Sequence, residues 1–204
     1  MWLLVSNAVC AQSVREVWKN MPDSLLSTLD RSKRLELLDF FDMSVNEAVD
    51  NRLNGKASLD TLTGSYMKVR LSDCSEVVLK LIAGRSAALG SDTDSIIGMV
   101  QTFSAPMSES RVRFFTRDWA LLCDTCFTSK SLILRPDTMA EDAFGNLLDQ
   151  MPLVLWKAEL PIEENEEEEL LLTPSFPLAF REQQQELTPL VLQRKIKLKG
   201  VLLK

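Results

Sequence analysis

Residues 66–83 read Y-M-K-V-R-L-S-D-C-S-E-V-V-L-K-L-I-A and contain two runs in which apolar and polar residues alternate. In the first run, Met67, Val69 and Leu71 share one face and two basic residues take the other. This alternation is typical of an antiparallel strand with one face in the core and the other in water. The pattern recurs over residues 76–83, where Glu76 and Lys80 take the polar face, so the stretch predicts two strands of an antiparallel sheet.

Strand patterns continue towards the C terminus. Residues 95–103 are apolar on both faces, which indicates a central strand, and short turns lead from there to strands expected at 111–116 and 119–127. Successive strands joined by short turns form a meander. A short helix is predicted within residues 137–151, followed by strands at 153–160, 170–173 and 190–198. Lysines along one face of the last strand are typical of a protected sheet edge.

The first part of the chain has a helical pattern instead. Apolar residues from Val14 to Met21 recur at helical spacing and predict a first helix. Asp23 and Ser24 can cap a second short helix, and Ser32 can cap a third. The order of elements predicts an α+β fold, with N-terminal helices packed on a mostly antiparallel β-sheet meander, a further short helix and C-terminal strands.

Length and composition limit the domain organisation. The chain has 204 residues, of which 46% are hydrophobic, enough for one folded domain or two small ones. We expect a single α+β domain over residues 12–204. Two unequal halves, 12–136 and 137–204, are the alternative, because helices followed by strands occur twice.

Charge and composition exclude several classes of function. The chain has 23 Lys and Arg against 29 Asp and Glu, so its net charge is −6 and nucleic acid is not an expected partner. It has no histidine, which excludes Ser-His-Asp and Cys-His catalysis and the H-E-x-x-H zinc site from its own residues. It also lacks a Gly-rich phosphate loop and a G-x-S-x-G motif, and we expect no cofactor.

The first residues, M-W-L-L-V-S-N-A-V-C-A, combine a short apolar run with small residues, a pattern typical of the end of a signal peptide. We predict that residues 1–11 are a signal-peptide remnant cut after Ala11, and that the chain is exported to the periplasm or the cell surface. A buried N-terminal strand is the alternative. No other run approaches the roughly 18 apolar residues that a membrane span needs, so we expect no transmembrane segment in the mature chain.

Two short patterns resemble catalytic motifs, and we favour a structural explanation for both. Cys123 and Cys126 have the spacing of a redox pair, but they fall in a predicted strand, where residues three apart point to opposite faces. Ser65 and Lys68 match the S-x-x-K motif of penicillin-binding enzymes, which needs the start of a helix rather than a strand. We therefore predict no catalytic residue from either pattern.

Two acidic segments raise the question of calcium binding. Asp92 and Asp94 are spaced as at the start of a calcium loop, but the Gly and Glu that such a loop needs at its sixth and twelfth positions are absent. Residues 163–169 contain six Glu around Asn165. We interpret the first segment as a solvated turn and the second as a solvated hairpin tip.

Three arginines form the candidate partner-binding face. Arg111, Arg113 and Arg117 lie at odd positions of one strand region, with Phe115 among them. In an acidic protein, a local stripe of positive charge would attract an anionic partner such as a glycan or a lipid headgroup. The solvent face of an antiparallel sheet produces the same alternation, and this is the alternative explanation.

Several words of the sequence resemble an uncharacterised family of exported proteins from Bacteroidales, a domain of unknown function with M-P-D-S, L-S-D and aromatic-x-x-D-W words in this order. The words that carry the resemblance are Met21-Pro-Asp-Ser-Leu25, Arg34-Leu35, Leu38-Asp39, Asn54-Gly55, Leu71-Ser-Asp73 and Phe114-Phe-Thr-Arg-Asp-Trp119. The resemblance covers most of residues 12–160. It implies an exported protein of the cell envelope and brings no catalytic residues.

These observations lead to two hypotheses about function. The first is a non-enzymatic, exported module of the cell envelope that binds a protein or an anionic envelope component. The second is a hydrolase that uses Asp and Glu without histidine, because a carboxylate pair is assembled by the fold and no single sequence excludes it. A flat sheet with an exposed patch favours the first hypothesis, and a deep cleft with two carboxylates favours the second.

Overall fold

A computed structural model describes residues 13–45, 47–83, 95–151, 153–162, 168–179 and 184–198. The predicted signal-peptide remnant and the Asp92 and Asp94 segment lie outside these residues. The helices are α1 Val14–Asn20, α2 Arg31–Asp42, α3 Glu141–Asp149 and α4 Gln184–Leu187. Within the described residues, no helix is both long and apolar enough to cross a membrane.

The strands form two sheets. They are β1 Val49–Asp50, β2 Lys56–Leu62, β3 Tyr66–Ser72, β4 Ser75–Ala83, β5 Ser95–Ser104, β6 Ser108–Phe115, β7 Leu121–Cys126, β8 Leu155–Glu159, β9 Glu169–Ser175 and β10 Arg194–Lys197. The large sheet has the order β1-β2-β3-β4-β5-β6-β7, and the small sheet has the order β10-β9-β8. Every neighbouring pair is antiparallel. The predicted α+β class with a mostly antiparallel meander is confirmed.

Much of the large sheet is covered on both faces. On one face, Met67, Val69 and Leu71 of β3 are buried with Val17 and Trp18 of α1, and we call this the helix side. On the other face, the small sheet supplies a second core of apolar side chains, whose largest fully buried member is Trp156 of β8. The sheet is therefore the middle layer between the helices and the small sheet.

The N-terminal helices are held together by Arg34 of α2, which is fully buried. Its guanidinium donates to the carboxylate of Asp23 at 2.7 Å and to the main-chain oxygens of Met21 and Leu29. The residue that caps α2 is Asp30, whose carboxylate accepts a hydrogen bond from the backbone N–H of Lys33. The prediction that Ser32 caps this helix is wrong, because Ser32 already lies in the first turn.

Three strand predictions need correction. The strand expected from residue 119 begins at Leu121, because Trp119 has a φ of 63° and its indole N–H donates to the carbonyl of Val17. The strand expected over 190–198 is only Arg194–Lys197. Strand β2 was not predicted, and neither was β1.

Two charged residues predicted to be solvated are buried. Lys80 of β4 is 1% exposed, because the small sheet packs against the face that carries it. Its Nζ lies 2.9 Å from the carboxylate of Glu168 and donates to the carbonyl of Pro161 at 2.9 Å. Glu168, which is 7% exposed, therefore does not belong to a solvated hairpin tip, and residues 163–167 of the acidic run lie outside the described residues.

Candidate functional site

Part of the helix side of the large sheet is open to solvent, and we call it the arginine face. Strand register sets its members, since residues directly opposite each other on neighbouring strands share a face. Arg113 lies opposite Asp124, and Arg111 lies opposite Gln101 and Cys126. The arginine face consists of these residues, Phe103 and the exposed Glu109 opposite Phe103: Gln101, Phe103, Glu109, Arg111, Arg113, Asp124 and Cys126.

Solvent exposure rises along β6 across this face. Phe115 is 1% exposed and stacks at a tilt on Trp119, with 5.2 Å between the ring centroids. Arg113 is 8% exposed, and the side chain of Arg111 is 50% exposed. The cover that the helices provide therefore ends near Arg113, whose guanidinium contacts Leu25 on the helix side and Gln101 on the next strand.

Arg113 is buried without an anionic partner. Its guanidinium makes only neutral contacts, donating to the carbonyl of Leu25 at 3.4 Å, to the side-chain oxygen of Gln101 at 3.3 Å and to the sulfur of Met99 at 3.5 Å. It also lies over the Phe115 ring at 5.8 Å. Its buried Nε has no hydrogen-bond partner, and no described carboxylate forms an ion pair with it.

Burying a positive charge without a partner costs free energy, and proteins normally pair such a charge with a carboxylate or another anion. Burial lowers the pKa of the Arg113 guanidinium from its ordinary value and the positive charge of Arg111 lowers it further, whereas the negative charge of Asp124 acts in the opposite direction. Arginine nevertheless stays protonated in proteins. The site therefore carries a positive charge with which no described carboxylate forms an ion pair, and Asp124 acts on it only through space.

The exposed Arg111 differs from Arg113 because it has its own carboxylate. Its Nε donates to Asp124 at 2.8 Å, and its Nη2 donates to the second oxygen of the same group. These hydrogen bonds lower the pKa of the Asp124 carboxyl and raise the pKa of Arg111. Asp124 lies opposite Arg113 in the register, but both of its oxygens accept from Arg111.

Arg117 lies beyond Phe115 and is separated from the arginine face. Its guanidinium donates to the hydroxyl of Ser95 at 3.1 Å and 2.5 Å. The structure thus brings Arg111 and Arg113 together and leaves Arg117 in the turn after β6. The expectation of one open stripe of three arginines is wrong, since Arg113 is buried and Trp119 packs on the intervening Phe115.

The sequence patterns considered for catalysis occupy structural positions. Cys123 packs with the small-sheet core, whereas Cys126 is exposed on the arginine face, and both thiols are free. Lys68 pairs with Glu76 at 2.8 Å. Among the described residues, no group of three or more Cys, Asp or Glu is arranged to hold a metal ion.

A shallow cavity lies between α3 and the segment around Phe176. It is lined by Leu147, Gln150, Met151, Leu153, Phe176, Ala179 and Leu187. Its lining contains no carboxylate, so it does not offer the pair of acids that a glycoside hydrolase needs.

The sequence words that carry the family resemblance also hold structural positions. Met21 and Asp23 accept hydrogen bonds from Arg34, so the first two words meet. The carbonyl of Leu71 accepts from the side chain of Asn51. The last word ends in Trp119, which packs on Phe115. These words therefore explain the scaffold and identify no reacting group.

Sequence reasoning missed the neutral partners of Arg113 and the carboxylate of Asp124. Gln101 lies in a strand that was predicted as central and buried, and Asp124 lies between two cysteines that drew attention to redox chemistry. One signal was available: in an antiparallel pair, Arg111 and Arg113 share a face with every second residue of the next strand, and Asp124 is one of these residues. Using that signal requires the register between β6 and β7, which includes an irregularity between Phe114 and Phe115.

Comparisons with known proteins give a family and a fold. A family model described as "Protein of unknown function (DUF3256)" matches residues 6–199. A solved structure, described as a domain of an uncharacterized protein from Porphyromonas gingivalis W83, is similar with a TM-score of 0.66 and 15% sequence identity. The alignment covers 89% of this chain and 90% of that one. No curated protein matches the chain.

Proposed function

Because the chain belongs to the DUF3256 family of proteins of unknown function, whose name assigns no activity, we propose its function from the arginine face. We propose that it is a non-enzymatic, exported module of the cell envelope that binds an anionic partner there. The partner, a protein or an anionic envelope glycan or lipid, places a carboxylate or phosphate against Arg113. The single observation that carries the proposal is the charge of Arg113, which is buried and unpaired within the described residues.

A carboxylate or phosphate of a partner would give the Arg113 guanidinium the anionic hydrogen-bond partner that the described residues do not provide. Hydrogen bonds that involve an ionised partner contribute roughly 1.5–3 kcal/mol, more than those between neutral groups. The present contacts of Arg113 are neutral and between 3.3 and 3.5 Å long. An anion that reached the guanidinium would therefore compensate the cost of burying the charge.

The surroundings of Arg113 limit the shape of this partner. Gln101 and the Arg111–Asp124 pair are polar, whereas Phe103 is 50% exposed and offers an apolar contact on the same face. A partner with an anionic group beside an apolar one fits both features. Export is supported by the signal-peptide pattern of residues 1–11 and by the resemblance to exported proteins, and it belongs to the proposal.

The test compares charge removal at Arg113 with charge removal elsewhere. We would measure binding of the full chain to three probes: vesicles that contain an anionic phospholipid, a carboxylated polysaccharide and a peptide with a run of acidic residues. Arg113→Gln should weaken binding about tenfold or more to the probe that binds wild type. Arg70→Gln is the matched control, because Arg70 is an exposed arginine paired with Asp60 away from the arginine face.

A conservative variant and a check of folding complete this test. Arg113→Lys, which keeps the charge but loses the planar fork of donors, should fall between wild type and Arg113→Gln. Thermal unfolding would establish that each variant is folded at the assay temperature. If a folded Arg113→Gln variant binds the probe as well as wild type and Arg70→Gln do, the arginine face is not the binding site. Absence of wild-type binding to all three probes would also contradict the proposal.

A further inference from the structure

The edges of the two sheets differ in how well they are protected. β1 is only two residues long, and β10 carries Lys195 and Lys197. β8 packs against β6 through a hydrogen bond from the N–H of Ala158 to the hydroxyl of Ser110 at 2.9 Å. Short strands, edge lysines and covering contacts are the usual devices that prevent a sheet edge from pairing with another chain.

The outer edge of β7 has almost none of these devices. Its six residues, L-L-C-D-T-C, contain no lysine, arginine or proline. Leu121 is 56% exposed and Leu122 is 42% exposed. Within the described residues, the backbone N–H and C=O groups of β7 form hydrogen bonds only with β6, so no described strand pairs with the outer edge of β7. The register irregularity near Leu121 lies at one end and leaves Cys123–Cys126 regularly paired.

The charge of this edge also favours pairing. The whole chain carries a net charge of −6, so two copies repel each other over most of their surfaces. The single charged residue of β7 is Asp124, and Arg111 neutralises it through two hydrogen bonds. The β7 edge is therefore a neutral, partly apolar strip, and a second β7 strand matches it in both charge and hydrogen-bonding groups.

We propose that β7 pairs antiparallel with β7 of a second copy of this chain. The two-fold axis would run perpendicular to the sheet, because only this operator brings identical edges together in antiparallel orientation and keeps each face on its own side. The large sheets of the two copies would then join into one continuous sheet. The arginine faces of both copies would lie on the same side of it, and the pairing itself does not require Arg113.

The experiment measures the oligomeric state and locates the contact. The full chain is studied by analytical ultracentrifugation over a wide concentration range, with a reducing agent present because Cys123 and Cys126 are free thiols. Backbone amide hydrogen exchange is measured at the lowest and highest concentrations. We expect a monomer–dimer equilibrium, with protection of residues 121–126 rising with concentration and protection of residues 194–197 unchanged.

Variants then test the assigned edge. Leu121→Lys should weaken dimerisation about tenfold, since each of two symmetry-related sites loses an apolar cross-strand contact and gains a charge. Leu178→Lys is the matched control, because Leu178 is 57% exposed and lies outside β7. Equal weakening by both variants would overturn the proposal. A monomer at every concentration, or a dimer in which β7 gains no protection, would also overturn it. If the amides of β7 are protected only when a strand of a different protein is added, this edge belongs to another partner and the proposal is wrong.

Discussion

The buried pair of Lys80 and Glu168 gives the sharpest prediction about stability. Their side chains are 1% and 9% exposed, and the pair joins β4 of the large sheet to the segment that leads into β9 of the small sheet. Lys80→Met keeps the apolar stem of the side chain and removes its charge. It leaves Glu168 buried without this partner and removes the hydrogen bond donated to Pro161.

The size of the effect follows from these contacts. Removing one partner of a buried ion pair destabilises a protein by about 3–5 kcal/mol, because the other charge remains buried and uncompensated. We therefore expect Lys80→Met to lower the free energy of unfolding by about 4 kcal/mol. For a chain of this length, that loss lowers the melting temperature by roughly 8–16 °C.

Urea unfolding followed by circular dichroism measures this loss, and two further variants make it specific. Lys68→Met removes a lysine from the pair with Glu76, whose side chains are 33% and 28% exposed, and should cost about 1 kcal/mol or less. The double variant Lys80→Met with Glu168→Leu removes both buried charges and should recover most of the lost stability. If Lys80→Met costs no more than Lys68→Met, or the double variant is no more stable than Lys80→Met, the reasoning about this pair is refuted.

Three further predictions concern single groups. Arg111→Gln should raise the pKa of Asp124 towards its ordinary value, which NMR titration of the carboxyl carbon measures. Because Arg111 depresses this pKa in the folded state, the pair stabilises the native state at neutral pH. This contribution is lost as the pH falls through the pKa of the folded state. Cys123→Ala should lower the melting temperature more than Cys126→Ala, since only Cys123 packs against a core, and Cys123→Ala should leave probe binding unchanged. A dithiol reductase activity that either change abolishes would contradict this structural role. Protein recovered from its native host should have the intact mass of a chain that begins at Gln12, and recovery of the uncut chain from the cytoplasm would contradict export.

The parts of the fold that the sequence predicts depend on local pattern. The alternation over residues 66–83 predicts β3 and β4 because every second residue of each strand is apolar and these residues lie on the same face. The helical spacing from Val14 to Met21 gives α1 for the same reason. Strand β2 was missed because only Ala57 of its residues is fully buried, so its alternation is weak.

The parts that could not be predicted depend on contacts between distant segments. Lys80 alternates with apolar residues as a solvated lysine does, and its burial results from the small sheet, which follows about 80 positions later. The sequence predicts Arg113 on an exposed positive strand, but its burial depends on the segment around Leu25, whose carbonyl accepts its hydrogen bond from 88 positions away. The positions of both charges follow from the packing of layers, which alternation within one strand does not reveal.

The most direct test of the proposed function observes the Arg113 guanidinium itself. The side-chain Nε–H resonance of Arg113 is followed by NMR in the full chain while the probe that binds most tightly is added. The proposal predicts a saturable shift of this resonance at low salt that is reduced at high salt and is accompanied by no comparable shift of Arg70. A bound probe that leaves the Arg113 resonance unchanged would contradict the assignment of the arginine face as the anion-binding site.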